Sequence, residues 1–431
     1  MSFLKKTILS LSFKGLSAIL GLVNSILLAK ILGAYILGKY QLLVSSQTIA
    51  ITIAAMGFGN SIIYFVKTKK YDIKLVTTNI LKFFTLVSFL FVTIYFIIIS
   101  FYPEYFGVSG DSVVLLYSLG SGFLLLYTIL LPVLYVNLEV VKLNCISLLT
   151  TLVMIISLFF LKYSDIDIDI VIVLKILFLS NAIPFIVLLL SIKHYLSREI
   201  RISFSLIKEI FAYGIKISVT NLVFILSSNI VVFLIRLMDN DGFTSVGIYS
   251  RAVAIASIFA IIPNTIGPLF YSKWAGMSNN ELKLEVEKAL RFLITLSVIG
   301  ALFLICFGKY IILMMYGKEY LGALASLQIL SSSIIFTSVI VIMNNLYTSM
   351  GKPERIFKVY FVSLFVTSII SVLLIPLIGS VGAACGVLIG LIFNCIRLFI
   401  SCKKDIDISY SNSILVSRGD FVLLKKKINK K

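Results

Sequence analysis

Residues 359–396 form a run of 38 residues without one charged side chain. As a single helix this run would be about 57 Å long at ~1.5 Å per residue. That is nearly twice the roughly 30 Å thickness of a bilayer's hydrocarbon core. Pro376, followed by Gly379 and Ser380, supplies a break, so the run reads as two membrane spans joined by a tight turn. Uncharged stretches at 112–138 and 320–351 repeat the pattern. Only 13% of the 431 residues are charged, against about a quarter in a soluble domain. The chain therefore reads as an all-α polytopic membrane protein.

Cutting at charges, prolines and Gly/Asn/Asp clusters gives about twelve spans: 7–32, 39–66, 80–102, 112–137, 143–161, 170–192, 210–236, 244–272, 290–308, 321–349, 358–377 and 380–401. Lys and Arg favour cytoplasmic loops. With both termini placed inside, the inner loops hold 26 Lys/Arg and the outer loops six. The basic start Met1–Lys6 leads into an apolar stretch with no cleavage site, so it reads as a first span rather than a signal peptide. The inner segment 278–291 sets Leu282, Val286 and Leu290 at helical spacing among charges; it fits an interfacial amphipathic helix or a solvated linker helix equally. The basic tail, residues 425–431, fits contact with anionic membrane lipids.

The net charge of +19 is spread between apolar runs, which argues against a nucleic-acid partner. No phosphate-binding GxxxxGK[ST] loop is present. The five cysteines show neither metal nor disulfide spacing, and His194 lies in a basic loop. No cofactor and no metal site is expected.

The spans divide into two sets of six, which allows a repeat about an axis along the membrane normal. Gly38-Lys39-Tyr40 opens span 2 and Gly247-Ile248-Tyr249 opens span 8, each after a helix that ends near a cation (Lys30, Arg236). The expected organisation is an N-terminal bundle, 1–209, a C-terminal bundle, 210–402, and a basic tail, 403–431.

With span 9 opening at 290, no Asp or Glu falls inside a span, whereas six cations do: Lys14, Lys82, Lys175, Lys216, Arg251 and Arg397. Snorkelling to the interface accounts for Lys82, Lys175 and Arg397 near span ends. Lys14, Lys216 and Arg251 lie deeper, where snorkelling and an anion-attracting cavity are both open readings. Ser10, Lys14, Ser17, Gly21, Asn24 and Ser25 share one face of span 1, turned either to water or to a tight helix contact. Lys30 lies on the opposite side of that helix, and the lumen face of span 7 stays open. Proline pairs such as Pro263 and Pro268 in span 8 fit a bent helix.

The segments ILLAKILGAYILGKY (26–40), MGFGNSII (56–63), VGIYSRA (246–252), MYGKEYLGA (315–323), MGKPE (350–354) and LIPLIGSVGAACG (374–386) resemble Wzx-type polysaccharide flippases of the multidrug/oligosaccharidyl-lipid/polysaccharide exporter superfamily. The resemblance implies two six-helix bundles around a central cavity, working by alternating access in the bacterial plasma membrane. It implies a substrate of undecaprenyl-diphosphate-linked repeat units for O-antigen or capsule synthesis, with the polysaccharide polymerase and chain-length machinery as partners. Cavity cations recur in spans 1, 2, 7 and 8 of such flippases, which carries Lys14 or Lys30, Lys216 and Arg251 into that role. Span 2 offers no charge between Gln41 and Val66.

The residues agree with an anionic substrate, since a diphosphate in a low-dielectric cleft needs cations and donors. A drug or cation antiporter of the same superfamily is one rival, and should show a buried carboxylate. A membrane-bound polysaccharide polymerase or transferase is another, and should show a large outer loop; a transporter is not expected to be an enzyme. Outward movement of an anionic headgroup runs downhill in a negative-inside potential by about 2.3 kcal/mol per charge per 100 mV, so membrane potential is the expected driving force.

Overall fold

The computed structural model describes residues 3–67, 71–137, 139–164, 167–197, 203–274 and 277–409, which contain helices and no strand. Among the described residues, eleven helices are long and apolar enough to cross a membrane. The first, α1 (Phe3–Ala55), contains two spans, because Gly33 leaves helical geometry at φ 66°, ψ 168°. The segment expected to be a loop between Lys30 and Lys39 is thus helical except at that one residue. The protein is an all-α, multi-pass membrane protein, and it divides into two compact units between Ser250 and Arg251.

In the first unit α1 stops at Met56 and Gly57, both at positive φ (47° and 71°), and α2 (Phe58–Lys67) completes the second span. Then follow α3 (Ile73–Phe101), the short α4 (Pro103–Phe106), α5 (Asp111–Leu130), α6 (Pro132–Val136), α7 (Val140–Lys162), α8 (Ile170–Ile192), α9 (Phe204–Met238) and the opening turns of α10 (Gly242–Trp274). Pro132 ends α5 because it has no N–H to continue the ladder and its ring crowds the preceding turn. The helix α5 packs on α3 and α8, α1 on α7 and α9, and α2 on α6 and α9.

Between lipid-embedded helices the drive is close packing and interhelical hydrogen bonds, since lipid is as apolar as leucine. Both are visible here. Phe58, Ile62, Phe84, Ile129 and Ile210 are fully buried in one cluster. Gln47 Nε2 donates to Ser121 Oγ at 2.7 Å, Tyr117 Oη donates to the Leu43 carbonyl at 2.7 Å, and Ser46 and Tyr95 share a hydroxyl bond at 2.7 Å.

The second unit holds the rest of α10, then α11 (Asn279–Met315), α12 (Ala323–Ser349), α13 (Pro353–Ile378) and α14 (Ser380–Ile406). The expected turn within 359–396 is present, with Gly379 at φ 58° between α13 and α14. One sequence expectation needs correction. The amphipathic segment is not a separate interfacial or linker helix: it is the opening of α11, capped by Ser278 and Glu281, with Leu282, Val286 and Leu290 buried in protein. Glu281, Glu285 and Glu287 thus stand on the first turns of the helix that carries span 9. Glu287 is 3% exposed and accepts the backbone N–H of Ser409 at 2.8 Å. The same region is tied by an Arg355–Asp405 ion pair and by Lys283–Asp407 at 3.1 Å.

Candidate functional site

The cations singled out from the sequence fall into two kinds of setting. Lys14 and Lys30 are exposed on the first segment of α1, where Gly15 and Gly21 face open space. Between them, Asn24 Oδ1 is shielded and has no hydrogen-bond partner. A shielded carbonyl without a donor costs about 1–3 kcal/mol, so Asn24 is a position where a ligand donor would be favoured. Lys216 lies on α9, and its side chain is outside the described residues.

Arg251 differs. It is 4% exposed, and its guanidinium carbon sits 5.7 Å from the centre of the Tyr316 ring. Tyr316 and Tyr320, both buried, come from the MYGKEYLGA segment. Two of the sequence segments with family character thus meet at one cation–π contact, worth up to about 2 kcal/mol when desolvated. Arg251 is anchored in its unit, whereas Lys14 and Lys30 are exposed.

A cavity of about 290 Å³ opens where the helices of the first unit are interrupted. Thr52, Gly57 and Gly59 line it from the α1–α2 break, Thr128 and Pro132 from the α5–α6 break, and Ser218 and Asn221 from α9. Interrupted helices persist in membranes where protein or a cavity re-satisfies the freed backbone groups. The amino end of α2 leaves N–H groups beside this cavity, which suits a polar or anionic group.

Sequence reasoning assigns Lys39 and Arg236 to loops, and the structure instead builds a cluster from them. The Arg236 guanidinium lies 3.9 Å from the Phe243 ring centre, and Lys39 Nζ lies 5.5 Å from the same ring and 4.7 Å from Tyr35. Tyr35 meets Phe243 edge-on at 5.6 Å. Arg236 Nε and Nη2 donate to the carbonyls of Tyr105 (3.1 Å) and Glu104 (2.9 Å) on α4. Burial pushes the Tyr105 hydroxyl up to about 12, with Arg236 pulling the other way. Gly107, at φ 67°, leaves the room this cluster needs: a Cβ there would sit 2.6 Å from Phe243 Cζ. The only sequence signal was the Gly-x-Tyr repeat, which marks the two helices but not the ring between the cations.

Helical spans, helix breaks around a cavity and clustered cations describe a multi-pass helical membrane protein. Residues 3–270 match the family model described as polysaccharide biosynthesis protein, and the chain belongs to that family. It is 30% identical over 150 residues to the capsular polysaccharide biosynthesis protein CapF of Staphylococcus aureus, a match covering 33% of this chain and 37% of that one. The chain thus matches little more than a third of that relative. Two solved structures share the fold. An inward-facing multidrug resistance MATE family transporter of the MOP superfamily has TM-score 0.72 at 14% identity, covering 93% of this chain and 98% of that one. The lipid II flippase MurJ, inward closed, has TM-score 0.72 at 17% identity, covering 92% and 87%.

Proposed function

We propose that this protein is a flippase that carries lipid-linked oligosaccharide repeat units, joined to undecaprenyl diphosphate, across the bacterial plasma membrane by alternating access. The observation that carries the reading is membership of the polysaccharide biosynthesis family on a fold shared with MATE and MurJ transporters. The chemistry supports it. Lys14 or Lys30, with Lys216, would meet the diphosphate, and Asn24 would receive a sugar hydroxyl; Arg251, stacked on Tyr316, is the further cation of this set. Glu287, the carboxylate inside α11, is engaged by a backbone N–H, which argues against a coupling site for a drug or cation antiporter. Both termini would be cytoplasmic, on the Lys/Arg asymmetry of the loops.

The test has two parts. Deletion in the native host should deplete surface glycan and accumulate the lipid-linked intermediate, and the wild-type chain should restore both. Reconstituted in liposomes, the protein should flip a lipid-linked oligosaccharide at a rate that follows the sign of an imposed potassium-diffusion potential. Flipping that ignores this sign and follows a proton or sodium gradient would refute the potential-driven reading. For orientation, single cysteines at Gly110 and Thr244 should react with an impermeant thiol reagent outside cells, and one at Ser203 should not.

A further inference from the structure

Two helix breaks in the first unit meet, and both leave backbone groups without a helical partner. The α1 ladder stops at Ala55, and Met56 and Gly57 hold positive φ before α2 begins at Phe58. The end of the one helix leaves carbonyls over, and the start of the next leaves N–H groups. At the α5–α6 break, Pro132 has no N–H to give the Thr128 carbonyl. Gly59 brings the two breaks together: a Cβ on it would sit 3.3 Å from Pro132 Cγ and 3.4 Å from that carbonyl oxygen. The cavity of about 290 Å³ lies at this meeting, with α9 as its further wall.

The chemistry of the wall is narrow. The Thr52 and Thr128 hydroxyls donate to the Thr48 and Leu124 carbonyls at 2.7 and 2.8 Å, which leaves each with acceptor capacity alone. Ser218 is 8% exposed and lines the cavity, and its hydroxyl has no hydrogen-bond partner among the described residues. Asn221 adds an amide, both donor and acceptor, and Phe224 adds an aromatic ring. None of the lining residues is charged.

Donors and acceptors side by side, without charge, select a ligand. A phosphate only accepts, and would leave the carbonyls and threonine oxygens unmet. An ammonium only donates, and would leave the N–H groups unmet. An acyl or prenyl chain would leave all of them unmet, which is costly in a site shielded from water. A sugar hydroxyl both donates and accepts, and the C–H faces of a sugar ring pack on apolar and aromatic walls. We propose that this cavity is a saccharide subsite: it holds sugar residues of the transported molecule and reads their hydroxyl pattern, separately from the cations that meet the diphosphate. At about 290 Å³, the low end of the roughly 300–1,000 Å³ of small-molecule pockets, it admits part of an oligosaccharide. A site built to pair hydroxyls rejects analogues that lack them, because its own polar groups are then left unpaired.

The attachment of the saccharide to a lipid carrier rests on the proposed transport function; binding of the saccharide does not. In a cysteine-free full chain in nanodiscs, Ala55→Cys places a thiol at the cavity wall, and Tyr163→Cys, exposed just after α7, is the control. Three probes are compared: the lipid-linked oligosaccharide of the native host, the oligosaccharide freed from it by mild acid, and undecaprenyl phosphate. Both saccharides should slow the maleimide reaction at Ala55→Cys severalfold and leave Tyr163→Cys unchanged, whereas undecaprenyl phosphate should slow neither. Thr128→Val and Ser218→Ala should each raise the half-protecting saccharide concentration by roughly two- to tenfold, the scale of one hydrogen bond, with the thermal unfolding midpoint near the parent's. Equal protection by undecaprenyl phosphate would overturn the proposal in favour of a prenyl or phosphate occupant. Absence of protection by either saccharide overturns it too, whether or not the chain flips lipid. Protection by the freed oligosaccharide in a chain that flips no lipid-linked oligosaccharide would leave the subsite standing and the functional reading at fault.

Discussion

The two ends of the second span use glycine for the same purpose and surround it with different chemistry. At the Tyr64 end Gly57 lies against Gly214 within a buried aromatic and aliphatic cluster; at the Lys39 end Gly38 lies against Gly247 beneath two cations and a ring. Close backbone approach is available to any helix pair with small residues. The steric fit is the same at both ends, and what differs is the chemistry of the neighbours.

The comparison is broken most forcefully by Gly57→Ala. It combines a left-handed backbone position, about 1–2 kcal/mol, with overpacking of about 1–3 kcal/mol, and we expect loss of folded protein by size-exclusion and thermal melting. Next comes a matched pair. Phe58→Ala should cost about 3–5 kcal/mol as a core truncation, whereas Phe243→Ala, at the half-open cluster beside the exposed Tyr35, should cost less; equal losses in melting experiments would refute the distinction. Anchored and open cations form a third contrast. Arg251→Ala should lower both thermal stability and glycan export, by up to about 2 kcal/mol for the former, and Arg251→Lys should recover part of each because lysine keeps the charge but not the planar stack. Lys14→Ala should lower export with stability unchanged.

The smallest expected effect is one of pH. At the Tyr64 end Glu139 is bound by Lys142 at 2.8 Å and by the Tyr195 hydroxyl at 2.6 Å, and these bonds lower its carboxyl pKa, Lys142 first. A lowered carboxylate contributes stability that is complete above the ordinary value of 4.5 and is lost as pH falls through its folded value. Acidification should loosen this end slightly and leave the Lys39 end, held by Lys39, Arg236 and Phe243, unchanged. Glu139→Gln should remove the dependence, as followed by melting midpoint between pH 7 and pH 3.

Much of the architecture was legible in the chain, because length and charge alone decide a membrane span. The break after Pro376 is an example. The kink at Gly33 was not, since Lys30 and Lys39 bracket it as if they flanked a loop, while the helix resumes after a single residue. The setting of Glu287 was hidden for the same reason: charges at 281–288 look like a loop until a distant backbone N–H accounts for the carboxylate. The site was least legible where partners are remote in sequence. Nothing local to Arg251 indicates that it faces the Tyr316 ring, whereas Tyr35, four residues before Lys39 on the same helix, is a partner that helical spacing could have found.

The bond between Glu287 and Ser409 also sets an order of assembly. Its two members are 122 residues apart. At about 5–20 residues per second of synthesis, the carboxylate waits roughly 6–24 s for its donor. During that interval the opening of α11 holds this carboxylate without its buried donor. The bond closes only once the residues following α14 have been made, so a segment beyond α14 completes the seat of a residue on the first helix wholly contained in that unit.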